Sequence, residues 1–487
     1  MRFLSVALLG LVASRPADAL QAAAGKVDIT PILGVEHVYM AGFGSTGRRP
    51  AGVHDPLEAR VLLLSDGRLK VGIVSLDLIG FFRRQVQELR KLSGFDKPGT
   101  FLFVAATHTH SGPDTLGLWG PWPGVSGVDD RYLKRIEKAI AAELARLEKR
   151  MAAVVVVGAQ GTLDPRGLCR DSRDPVVIDS RIAALRFRTR TGKTVATIVN
   201  WSCHPEVLGS HNLELTADYP AYVCRDIEAW MGGTCVYLSG AIGGLLTPDK
   251  KTGADDWSEA ARIGGAVARA ARALLKKPAV VASSMRLSAA SKVVSLPVEN
   301  SRYLLMLPHL VFGHRILDAS GAPLAPWRRW AIPLERLLGL LGERSLPWVR
   351  TEVAELSIGK AAILGIPGEI FPELVMGGYD GRYAFGHPTI APGNLNPPDL
   401  KKAPKPPYLK NFFRAPVTMV AGLADDEIGY IIPGYDFKIR SNALMLPRLP
   451  GHYEETNSIG PSATGIILDA ARDLLKVEGG SRTKEAF

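Results

Sequence analysis

Four places in the chain set histidine, carboxylate or tyrosine directly behind a short apolar run. Phe101 to Ala106 leads into Thr107-His108-Thr109-His110-Ser111-Gly112-Pro113, and Val195 to Asn200 leads into Cys203-His204-Pro205. Ala361 to Ile366 leads into Pro367-Gly368-Glu369, and Val417 to Ala421 leads toward Asp425-Asp426-Glu427 and Tyr430. In an extended strand, residues two apart share a face, so His108 and His110 are expected to aim into one pocket. Two or three imidazoles with one carboxylate form a zinc set: zinc takes nitrogen and oxygen at about 2 Å and keeps one position open for water when catalytic. The H-x-H spacing alone is shared by several unrelated hydrolases. The H-x-H-x-D-H variant of the lactamase-like enzymes is absent, because Ser111-Gly112 follows His110.

The elements behind these residues read as mixed. Arg60 to Leu64, an Asp66-Gly67 turn and Val71 to Leu76 form a hairpin pattern, repeated by Ile182 to Arg188, Thr191-Gly192-Lys193 and Val195 to Asn200. Asp130 to Lys149 and Trp257 to Leu275 carry helical spacing. Strands alternating with helices, plus two hairpins, predict an α/β fold of mixed sheets with flanking helices. In such folds, sites form at the carboxyl ends of strands. The segment from Tyr303 to Trp348 stands apart, rich in Leu, Trp and Arg. It reads as an insertion that either packs on the main domain, covers a site, or lies at a lipid interface.

At this level of detail the motifs resemble the neutral/alkaline, non-lysosomal ceramidases. Besides Thr107 to Pro113, the similar segments are Gly52-Val53-His54-Asp55-Pro56-Leu57, Asn200 to Pro205, Ala217-Asp218-Tyr219-Pro220, Pro367 to Phe371, Gly429-Tyr430-Ile431 and Tyr453-Glu454. They run in order over most of the chain. The resemblance implies zinc held by His108, His204, Glu369 and Tyr430. It implies His110, Arg170 and Tyr453 around the reacting carbonyl, with Arg173 the competitor of Arg170, and water activated by the metal as the attacking group. The family's G-D-x-S-P-N segment corresponds to Gly244-Leu245-Leu246-Thr247-Pro248-Asp249. Thr247 keeps a hydroxyl at the site, whereas Leu245 replaces a charge. The family's C-terminal immunoglobulin-like domain is expected to be missing, which leaves a single large metallohydrolase domain over 20–487.

The resulting expectation is zinc-dependent hydrolysis of the amide bond in an N-acyl substrate, ceramide or another acylated amine. Long acyl chains are expected to be preferred, with leucines of the insertion lining a groove. An esterase or small-amide hydrolase with the same site is the alternative within enzymes. A non-catalytic zinc-containing protein that binds lipid or envelope is the alternative outside them. Arg2, the apolar Phe3 to Val12 and Ala17-Asp18-Ala19 read as a signal peptide over 1–19, with a second candidate cut in Ala22 to Ala24, so an exported, periplasmic or secreted protein is expected. The net charge of +11 is mostly dispersed, its denser spots being Arg328-Arg329 and Lys401-Lys402 with Lys405. No nucleic-acid-binding motif accompanies it, which leaves a solvated basic surface or peripheral contact with an anionic membrane or envelope surface. Four cysteines in 487 residues are too few for a disulfide scaffold.

Overall fold

A computed structural model describes residues 19–249, 251–281, 286–307, 313–439 and 448–476. The expected signal peptide lies almost entirely outside the described residues. The first strand, Gln21–Asp28, begins just after Ala19 and pairs antiparallel along its whole length with Glu58–Ser65.

The mixed architecture expected from the sequence is present. The first hairpin is Glu58–Ser65 with Lys70–Leu76, and the second is Arg181–Thr189 with Thr194–Trp201. Parallel strands are added outside each: Thr100–Ala106 beside Lys70–Leu76, and Thr234–Ser239 beside Thr194–Trp201. Ala152–Thr162 joins the two halves, pairing broadly with Arg181–Thr189 but with only Gln21 and Ala22 of the first strand. So narrow a junction lets one half fold over the other. Thr234–Ser239 then lies against the strands of the first half, and Ser75 Oγ donates to Tyr237 O at 2.5 Å. Leu62, Ile73 and Phe103 from one half meet Leu185, Ile198 and Val236 from the other in a shared apolar layer.

A separate four-stranded sheet has the order Leu287–Pro297, Trp348–Ile358, Ala361–Gly365, Val417–Ala421. Its Leu356, Ile363 and Met419 join the same layer. Helices flank the sheets, among them Asp130–Glu148, Tyr219–Met231, Asp256–Leu274 and Pro461–Lys476. The helix Asp130–Glu148 starts where the side chain of Asp129 accepts from the Arg131 and His37 amides. No helix among the described residues is long and apolar enough to cross a membrane.

The Leu/Trp-rich segment proves to be a hairpin connection. Leu287–Pro297 and Trp348–Ile358 pair residue for residue, and the ladder ends at Pro297 opposite Trp348. Everything between leaves and returns at that end. Within it, the helices Ser301–Met306 and Arg328–Leu337 are packed together, with Arg336 Nη2 donating to Ser301 Oγ at 2.6 Å. The leucines expected to line an acyl groove are instead exposed: Leu334, Leu337, Leu338 and Leu340 face outward.

Candidate metal centre

His108 and His204, the two histidines that resembled ligands, sit just past strand ends, and Glu369 and Tyr430 each open a short strand of their own. Thr100–Ala106 stops before Thr107, and the backbone then turns through a left-handed conformation at His108, with φ of 70°. His108 and His110 therefore do not converge by strand alternation. The turn brings their ring centroids to 5.0 Å. A non-glycine residue at positive φ is strained and persists where its surroundings fix it. Here Thr107 and His108 donate their amides to Leu76 O and Leu78 O. His204 follows Thr194–Trp201, its ring centroid 5.1 Å from that of His108 and 5.5 Å from that of His110. Glu369 and Tyr430 face each other across a two-residue parallel ladder, Glu369–Ile370 with Tyr430–Ile431, that bridges the ends of Ala361–Gly365 and Val417–Ala421. The strand ends of two different sheets thus meet at one point.

All five side chains are buried. Nε2 of His204 lies 2.9 Å from Glu369 Oε2, and Nε2 of His108 lies 3.7 Å from the same oxygen. Tyr430 hydrogen-bonds to the Glu369 carboxyl. The remaining ring nitrogens of the two histidines are anchored on backbone: His108 Nδ1 on Ile79 O at 2.6 Å and His204 Nδ1 on Leu246 O at 2.8 Å. A carbonyl accepts only, so Nδ1 carries the proton in both rings and the Nε2 lone pairs point toward Glu369. That is the outer support a metal-binding imidazole usually has. Neither ring nitrogen of His110 has a hydrogen-bond partner among the described residues. Glu206 Oε2 is 3.3 Å from His110 Nδ1 but outside hydrogen-bonding geometry. One ligand nitrogen from each of His108, His110 and His204 falls within a mutual 4.8 Å, so these three could hold a metal ion. The donor set fits one.

The electrostatics agree. Burial pushes His108 down to about 4 and His110 and His204 below their usual value, so all three are neutral donors at pH 7. Burial pushes Glu369 up to about 7 and Tyr430 well above its usual range, and a cation beside them would reverse that cost.

The other expected residues divide. Tyr453 is half-buried, stands edge-on to Tyr430 with centroids 6.2 Å apart, and is pushed up to about 12 by burial. Thr247 follows Leu246, the residue that anchors His204, and is half-buried. Leu245 sits at φ 55°, which is costly for a branched side chain. Arg170 is opposite Thr247 in a short antiparallel pair but is exposed, and it makes no contact with the histidines among the described residues. Arg173 is buried and consumed elsewhere: it binds Glu454 at 2.7 Å, Glu455 at 2.9 Å and Asp436 at 3.0 Å. It holds the turn that carries Tyr453 rather than facing the cluster. The guanidinium that does touch the cluster is Arg48, which donates to His110 O at 2.6 Å and to Ala41 O at 2.8 Å.

A cavity of about 80 Å³ opens beside His108 and Glu369. Its wall is largely apolar, with Phe82, Leu116, Trp119, Ile428 and Ile459. Besides His108 and Glu369, its polar members include His314 and Glu427, which the sequence left unmarked as site residues. His314 is held by Asp426 at 2.8 Å with Nδ1 unpartnered, and Glu427 has Oε2 unpartnered. Glu427 stands in the acidic run that follows Val417–Ala421, so strand-end position could have singled it out. His314 comes from the insertion, where no local pattern marks it.

The crystal structure of neutral ceramidase from Pseudomonas aeruginosa superimposes with a TM-score of 0.64 over 96% of this chain and 76% of that one, at 16% identity. The fold is that of neutral ceramidase. A second neutral ceramidase-like match, a ceramidase complexed with C2, gives 0.63 over 96% and 77%, also at 16% identity. In sequence, the curated neutral ceramidase of Pseudomonas aeruginosa is 27% identical over 241 residues, which is 45% of this chain. The chain spans about a third of the length of that curated relative, 35%. No family model matches.

Proposed function

We propose that this chain is a zinc amidohydrolase that cleaves the amide bond of an N-acyl substrate such as ceramide. The observation that carries the reading is the buried convergence of His108, His110 and His204 on Glu369 and Tyr430, in a neutral ceramidase fold. The neutral ceramidase relative supports the substrate class. His108, His204, Glu369 and Tyr430 would hold the ion, and His110 borders it. The ion would supply Lewis acidity and a water acidic enough to deprotonate near neutral pH.

The chain's own residues do the rest. His108 and His204 are fixed by backbone carbonyls, so their rings need no reorganisation. Tyr453 remains protonated at neutral pH, and its hydroxyl is the donor we assign to the developing oxyanion. His110 is buried, neutral and without a hydrogen-bond partner, so we assign it to accept the proton that the attacking water gives up and to pass that same proton to the departing amine, which returns the ring to its neutral form. Arg170 has no part in this scheme because it is exposed. The apolar wall of Phe82, Leu116 and Trp119 excludes water and can take the first carbons of an acyl chain.

The test is paired measurement of zinc content and turnover on purified protein, with N-acyl amides of two to sixteen carbons and matched esters. Zinc near one per chain with amide turnover supports the reading. Esters cleaved while amides are untouched would promote the esterase reading, and zinc without any turnover the non-catalytic one.

A further inference from the structure

The helix Arg328–Leu337 is built the wrong way round for a helix facing water. Its inner side is fastened: Ile332 is fully buried, Arg336 donates to Ser301 Oγ, and Arg328 donates to Ser345 O at 3.3 Å. Its outer side is not polar. Trp327, Leu334, Leu337 and Leu338 fall within one stripe at helical spacing, Leu340 continues it, and these five are between 58% and 71% exposed. Together they present on the order of several hundred Å² of apolar side chain, the size that marks an interaction surface. Unpaired flexibility does not account for this, because the same helix is pinned on its other face.

The rim carries an excess of positive charge. Residues 313–350 hold six arginines and three carboxylates, and no lysine. Glu335 is bonded to Arg328. Arg329 and Arg344 are exposed and form no ion pair among the described residues. Arginine matches phosphate oxygens with its planar fork, and tryptophan and arginine both suit the boundary between headgroups and acyl chains. A symmetric contact with a second copy would set this arginine-rich rim against itself.

We infer that the Trp327/Leu334/Leu337/Leu338/Leu340 stripe docks the protein on an anionic phospholipid surface, lying in the headgroup region with Arg329 and Arg344 on lipid phosphates. The neighbouring helix Ser301–Met306, on which this one packs, puts Tyr303 into the wall of the cavity beside His108. The lipid-facing stripe and that wall therefore belong to one insertion. This docking does not depend on the hydrolase reading.

The experiment is co-sedimentation of the purified chain with large unilamellar vesicles of phosphatidylcholine alone and of phosphatidylcholine with phosphatidylglycerol at a ratio of about seven to three. Binding to the anionic vesicles should exceed binding to neutral ones by about tenfold or more, and should weaken with salt. Trp327→Ser with Leu338→Ser should lower anionic-vesicle binding by about tenfold or more with the melting temperature retained, since both side chains are exposed. Arg329→Glu with Arg344→Glu should remove the preference for anionic lipid. Equal vesicle binding by wild type and the Trp327/Leu338 variant overturns the inference. So does absence of binding to either vesicle. A concentration-dependent dimer that the same variant abolishes, without vesicle binding, would assign the stripe to a second copy instead.

Discussion

His110 differs from its two neighbours in what holds it. His108 and His204 are each tethered through Nδ1 to a carbonyl, while neither ring nitrogen of His110 has a hydrogen-bond partner among the described residues. A tethered ring serves as a ligand, and an untethered one can trade a proton. His204→Ala should therefore lose most of the zinc, whereas His110→Ala should keep it and lose turnover by about a hundredfold or more. Metal analysis of both variants separates the roles, and equal zinc loss would make His110 a third ligand. A second residue-scale test comes from Gly42, at φ 101°, where an added Cβ would stand 2.5 Å from the His110 ring. Gly42→Ala should push that ring aside and cut kcat while zinc stays bound. The histidines were legible in the sequence because each follows an apolar run. Their convergence was legible for the wrong reason, since the strand ends at Ala106 and the left-handed turn at His108 does the work. Arg170 is exposed, which its position in the motif order could not show. Three residues on, Arg173 is the buried one, and it is spent on Glu454, Glu455 and Asp436.

Two of those carboxylates, Glu454 and Glu455, belong to the turn after Tyr453, and the third, Asp436, to the turn Gly434–Asp436, so Arg173 ties two elements together. Removing one partner of a buried charge cluster costs about 3–5 kcal/mol. Arg173→Met should lower the melting temperature sharply, while Arg170→Ala should leave both stability and turnover within about twofold, as expected of an exposed side chain. Helix capping gives a milder case. The side chain of Asp129 takes the Arg131 and His37 amides, and Asp129→Ala should cost about 1 kcal/mol. Its carboxyl is held down at about 2, foremost by Arg131 and these amides acting against burial. A lowered folded value means the stabilisation is present above the ordinary carboxylate range and is lost as pH falls toward 2, so wild type and variant should converge in stability there. The two hairpins and the long helices were readable from alternation, Asp-Gly turns and helical spacing. The pair Leu287–Pro297 and Trp348–Ile358 was not, because one strand is studded with half-exposed Ser and Lys that break the alternation. Missing that pair hid the fact that the insertion is a loop hung from a ladder end.

For the whole molecule, the first strand bears on export. We propose that the chain is exported and cut near Ala19, which leaves Gln21–Asp28 intact. A cut after Ala24 would remove half of a strand paired along its full length with Glu58–Ser65. Intact-mass analysis of protein from the envelope fraction should give Leu20 as the first residue, and an uncut chain in the cytosol would contradict export. The junction of sheets could not be read from the sequence. Nothing local records that a two-residue pairing at Gln21 and Ala22 lets one half fold onto the other.

That junction changes what a bound ion does for the chain. His108 and His204 close the two halves of the large sheet, and Glu369 and Tyr430 close the small one. One ion held by all four would act as a rivet across loops of roughly 60 to 165 residues, and cross-links that span long loops remove the most freedom from the unfolded chain. Chelation should therefore lower the melting temperature as well as abolish turnover, and added zinc should restore both. It also imposes an order of assembly. A growing chain cannot complete the rivet until Tyr430 has been made and both sheets have met, so zinc uptake during refolding should report the last docking event rather than the first collapse.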